Sequence, residues 1–165
     1  MRLVALTLLA LALSATAATG AGRAPGGSLS IEDGRGLVRI VGKGVVVGRI
    51  EKGTLQIIDL SLSDPWSPRV NGIPRGRKVW LLGKKISFYV PGGSYRIVAQ
   101  GEGISISARG VGAVVLKGDP DPLGGTGLYA VGDASLAPLP FDVIKMTFGD
   151  TGTGAPSSQT GTIQK

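Results

Sequence analysis

Glycine and proline break this chain roughly every eight to ten residues, and the runs between them are short and rich in Val, Ile, Leu and Tyr. That spacing rules out long helices. An interior glycine costs a helix about 1 kcal/mol and a proline about 3 kcal/mol. With 28 glycines and 10 prolines in 165 residues, those penalties recur too often to absorb. Beyond the first twenty or so residues, no stretch carries apolar side chains at helical spacing free of both breakers. The sequence therefore predicts an all-β, antiparallel sandwich or barrel of roughly 9–11 short strands.

Period-two alternation places most of these strands. Leu55, Ile57 and Asp59 face one way, with Gln56, Ile58 and Leu60 opposite. Ile104 and Ile106 alternate with Ser105 and Ser107, the pattern of a half-buried strand with serines on a solvated or binding face. The strands expected are 28–32, 36–41, 44–51, 54–60, 77–82, 85–90, 94–100, 103–108, 111–117, 127–131 and 141–148. Gly83-Lys84-Lys85 and Pro91-Gly92-Gly93 read as hairpin connections, which makes the middle of the chain a meander. Residues 61–76 and 118–127 carry too many breakers for strands.

The first residues have a different character. Met1-Arg2 is a short basic start, Leu3 to Leu13 is apolar apart from Thr7, and Ala15-Thr16-Ala17 fits a small-x-small cleavage site. Those are the parts of a secretory signal peptide over 1–17, cut after Ala17, with a later cut after Ala21 as the alternative. The apolar core is about half the roughly 20 residues a spanning helix needs. The expected product is secreted or extracytoplasmic, in the cell envelope, with no transmembrane segment in the mature chain. A linker over 18–27, a single β-domain over 28–148 and a disordered tail over 149–165 follow. The chain has no cysteine, so no disulfide can staple the domain and its apolar core must suffice.

A weak internal repeat appears on shifting the chain by 57 residues. Arg39-Ile40-Val41 then matches Arg96-Ile97-Val98, Gly44 matches Gly101, and Lys52-Gly53 matches Arg109-Gly110. Duplicated halves would account for this, as would the general likeness of Val/Ile strands split by glycine. Glycine doublets at these corners also permit an irregular β-solenoid as an alternative architecture.

Catalytic options are few. The sequence contains no histidine and no cysteine, which excludes Ser-His-Asp and Cys-His sites and His/Cys zinc sites. A carboxylate-dependent hydrolase remains the alternative function, with Asp59, Asp64, Glu102, Asp119 and Asp133 as conceivable partners. Asp119 and Asp121, two apart in a Gly-rich loop, are weak calcium candidates; the competing reading is an Asp-Pro turn. The sequence points to no cofactor.

Charge supplies the strongest functional lead. Without residues 1–17 the chain carries 17 basic and 11 acidic side chains. No acid lies between Asp64 and Glu102, whereas Arg69, Arg75, Arg77, Lys78, Lys84, Lys85 and Arg96 all do. Trp66, Trp80, Phe88, Tyr89 and Tyr95 share that window, and Lys84-Lys85 would sit at a hairpin tip. Basic residues interleaved with aromatics attract anionic polymers and stack on their rings. Arg69, Arg75, Arg77, Lys78, Lys84, Lys85, Arg96 and Trp80 are therefore the expected binding residues. In that compartment the partner expected is an acidic polysaccharide, lipid head groups or a protein, rather than nucleic acid. A non-catalytic exported binding or structural module follows, with a self-assembling secreted subunit as a further alternative.

Overall fold

A computed structural model describes residues 27–61 and 67–149. The expected signal peptide with its cut after Ala17, Asp64, Trp66 and the tail expected beyond 149 lie outside the described residues. Among the described residues there are eight strands and no helix: β1 (Gly27–Asp59), β2 (Arg69–Val70), β3 (Ile73–Pro74), β4 (Lys78–Val90), β5 (Ser94–Gly118), β6 (Leu128–Val131), β7 (Ala137–Pro138) and β8 (Ile144–Phe148). They form one antiparallel sheet in the order β3-β2-β4-β1-β5-β8, with β6 joined to β1 and β7 to β6. The all-β antiparallel class is as the sequence predicts. Antiparallel pairing throughout sets the solenoid alternative aside, and the sheet does not close into a barrel.

The division into strands differs from the expectation. Runs that the sequence separates at glycines are joined into three long strands of 33, 13 and 25 residues. At these glycines the chain bends without reversing. β1 and β5 pair twice: residues 27–43 of β1 run against 94–110, and 36–59 run against 95–118. One strand can flank another on both edges only if the two wind around each other. Glycine rows mark where they turn. Gly83, Gly53, Gly101, Gly36 and Gly118 stand side by side across neighbouring segments, and Gly27, Gly110 and Gly44 form a second row. A partner strand that bends at the same place keeps the ladder intact, so no hairpin is needed.

Lys84 and Lys85 accordingly do not cap a hairpin. β4 runs straight through them, with Lys84 opposite Lys52 and Lys85 at a φ of 52° in the bend. The expected meander is corrected as well, because β4 and β5 both pair with β1 and not with each other. Pro91-Gly92-Gly93 carries the chain across β1 rather than closing a hairpin.

Two inward rows build the core. Val79, Ile57, Ile97, Ile40, Val114 and Met146 lie in register across one part of the sheet. Ile31, Ile106, Gly48, Phe88 and Val70 do so across the other. All but Met146 and Gly48 belong to a single buried apolar cluster, in which Met146 is a partly buried neighbour. The Phe88 ring occupies the space over Gly48 that a Cβ would take. Alternation holds within each segment and shifts phase at bulges, as between Ile50 and Leu55, which keeps both parts facing the same interior. The segment 119–143 closes one end: Leu139 and Thr126 are buried, and the Thr126 hydroxyl donates to the Leu139 carbonyl at 2.8 Å.

Candidate anion-binding face

The outward residues of 78–82 in β4, 37–43 and 54–59 in β1, 94–100 and 111–117 in β5, and 144–148 in β8 share one face. Two adjacent rows define its centre. One reads Lys78, Ile58, Arg96, Val41, Ala113, Thr147; the next reads Trp80, Gln56, Val98, Arg39, Val115, Lys145. Lys43 and Lys117 belong to the flanking rows of the same face. No carboxylate occupies an outward position of these strand segments. Asp119, just past the end of β5, reaches Lys117 at 3.1 Å. Trp80 is 73% exposed and Leu82, two residues on, is 74% exposed.

The repeat seen in the sequence organises this face. Ile40 pairs with Ile97, its own counterpart at a shift of 57 residues, so a local two-fold relation centres on that pair. Arg39 and Arg96 are then equivalent and lie diagonally across it, about 7–8 Å apart at the backbone. The relation extends to the next strands. Lys78 faces Ile58, which faces Arg96; Lys145 faces Val115, which faces Arg39. Each Lys–Arg pair thus spans two strand spacings, about 10 Å, with an aliphatic side chain between. Arg96, flanked by Ile58 and Val41 in register, has its Nε buried without a hydrogen bond.

The structure brings together only part of the predicted set. Lys78, Trp80 and Arg96 lie on this face. Arg69 lies outside it, opposite Tyr89 at the margin of the other part of the sheet. That part carries Ser28, Ser30, Ser105, Ser107 and Ser87 outward, with Glu32 and Glu51 among its charges. Arg75 follows β3 in an exposed turn, its N–H donating to the Pro68 carbonyl. Arg77 precedes β4 and its guanidinium donates to the Ser61 carbonyl. Lys84 and Lys85 are at the bend. Sequence reasoning missed Arg39, Lys43, Lys117 and Lys145. Their signal was strand parity: each is an outward residue of a strand distant in sequence but adjacent in the sheet.

The remaining candidates are dispersed. A shallow depression without room for a water molecule is lined by Ile57, Asp59, Pro68, Val90, Pro91, Gly92 and Tyr95. Asp59 there accepts the Ser61 N–H at 2.8 Å. Burial pushes the Tyr95 hydroxyl up to about 12, and it has no hydrogen-bond partner. Glu102 sits near the far end of the segment that starts at Tyr95, seven residues away and bonded to Arg35 at 3.4 Å. Asp121 accepts the N–H groups of Leu123 and Gly125 at 2.8 and 2.7 Å, the behaviour of a turn aspartate. Among the described residues no group of three or more acidic side chains is placed to hold a metal ion. No helix among them is long and apolar enough to cross a membrane.

No family model matches this chain, and no curated protein or solved structure matches it either.

Proposed function

We propose that this chain is an exported, non-catalytic β-module of the cell envelope or extracellular space that binds an anionic partner through the sheet face bearing Lys78, Arg96, Arg39 and Lys145. The observation that carries this reading is the two-fold-related pair of Lys–aliphatic–Arg rows on strand segments with no outward carboxylate. Like charges held this close repel one another in the free protein, and an anionic partner relieves that repulsion. Trp80 at the margin adds an exposed ring for stacking or partial burial. Export is supported by the N-terminal signal pattern, and the non-catalytic reading by the absence of histidine and cysteine.

Retention on an immobilised polyanion such as polygalacturonate tests the reading. Binding should weaken steeply between low salt and about 0.15 M, where the Debye length shrinks to about 8 Å. Retention that is indifferent to salt, or absent at low salt, would contradict it.

A further inference from the structure

We infer that the partner of this face is an anionic lipid bilayer surface; the inference rests on the anion-binding reading above and specifies its ligand. The chemistry between the cations favours lipid over glycan. Ile58, Val41, Val98 and Val115 fill the positions beside the arginines in the two central rows. A glycan chain presents hydroxyls that need hydrogen-bonding partners, and Gln56 and Thr147 are the neutral polar side chains in those two rows. Aliphatic groups interleaved with Lys and Arg suit an interface, where the stems and apolar side chains meet the glycerol and upper acyl region while the charged heads meet phosphates.

Trp80 and Leu82 give the surface an anchor. They are successive outward residues of β4, and both are about three-quarters exposed. An indole favours the headgroup level of a bilayer, with its ring in the apolar boundary and its N–H in the wet zone. The face would settle on the membrane with the β4 margin inserted and the four central cations over lipid phosphates.

The test is flotation of the full chain with mixed phosphatidylglycerol–phosphatidylcholine vesicles, against phosphatidylcholine vesicles and soluble polygalacturonate. Trp66→Phe makes Trp80 the reporter. The expected result is selective binding to the anionic vesicles with a blue shift of Trp80 emission. Arg39→Ala and Lys145→Ala should each weaken it about fivefold at low salt. Any contribution from residues 1–13, the basic Met1-Arg2 included, is common to all variants, so the losses in Arg39→Ala and Lys145→Ala and the Trp80 emission shift report on the face alone. Equal binding to both vesicle types, or binding without a change in Trp80 emission, overturns the lipid inference. Binding to polygalacturonate but not to vesicles overturns it too and leaves the anion-binding reading standing; binding to none of the three overturns both.

Discussion

Gly44 of β1 and Gly110 of β5 face each other across the sheet, each at a φ near 145°. A Cβ on either would lie 2.1 Å from the carbonyl oxygen of the residue preceding the other, Arg109 or Lys43. Gly53 and Gly101 repeat the arrangement, with Cβ positions 2.1 Å from the Gln100 and Lys52 carbonyls. The repeat detected in the sequence relates Gly44 to Gly101 and Gly53 to Gly110, so the first corner of each copy packs on the second corner of the other. These two contacts hold the bends that wind β1 around β5, and the candidate face lies on one of the two parts of the sheet they join.

Gly44→Ala and Gly101→Ala should therefore destabilise the fold severely. Both the backbone conformation and the clash with main-chain oxygen resist relief, and a loss of about 3 kcal/mol is expected from each. Gly76→Ala is the control, since a Cβ there meets nothing within 4 Å, and its effect should stay within about 0.5 kcal/mol. Urea unfolding midpoints of the three variants check this.

Ile97 lies at the centre of the buried row that joins Val79 to Met146, and it is fully buried. Ile97→Ala should cost about 2–5 kcal/mol through lost burial and the cavity left behind. Its cross-strand counterpart Ile40 stands in the equivalent position. Ile40→Ala is expected to give a loss of the same size in thermal or urea unfolding.

Tyr95 gives a pH-dependent prediction. Its hydroxyl is buried without a partner and its pKa is raised from 10.0 to about 12 by desolvation. Above pH 10 the unfolded chain releases this proton while the folded chain keeps it, so stability is fully present below pH 10 and falls as pH rises toward about 12. Tyr95→Phe should remove that part of the alkaline loss. At neutral pH the same change should leave stability unchanged or raise it by up to about 1 kcal/mol, since it deletes an unsatisfied polar group. Denaturant titrations of both proteins at pH 8, 10 and 11 would show the difference.

Much of the fold is legible in the sequence because alternation is a local property. The inward sets Leu55/Ile57 and Ile104/Ile106 follow directly from period two, and Ser105 and Ser107 do face outward. What joins the strands is not local. A glycine can end a strand, reverse it or bend it, and the outcome at Gly44 or Gly53 is decided by which residue lies opposite. A partner glycine across the ladder permits the bend, and nothing in the neighbouring residues announces that partner.

The candidate face is legible for the same reason only in part. A basic window in the sequence groups residues along the chain, whereas a sheet groups every second residue of several strands. Lys78, Trp80 and Arg96 satisfy both conditions. Arg69, Lys84 and Lys85 satisfy the first alone, and Arg39 and Lys145 only the second. Matching Arg39 to Arg96 through the repeat was the available clue, but its meaning depended on knowing that Ile40 pairs with Ile97.

Charge reversal at the two sets of cations tests the central claim most directly. One variant carries Arg39→Glu, Arg96→Glu and Lys145→Glu; the other carries Arg69→Glu, Lys84→Glu and Lys85→Glu. Both change the net charge equally, so a general electrostatic attraction would weaken alike in each. Retention on polygalacturonate or anionic vesicles at low salt should be abolished in the first variant and largely kept in the second. Equal loss in both, or loss confined to the second, would contradict the assignment of binding to this face.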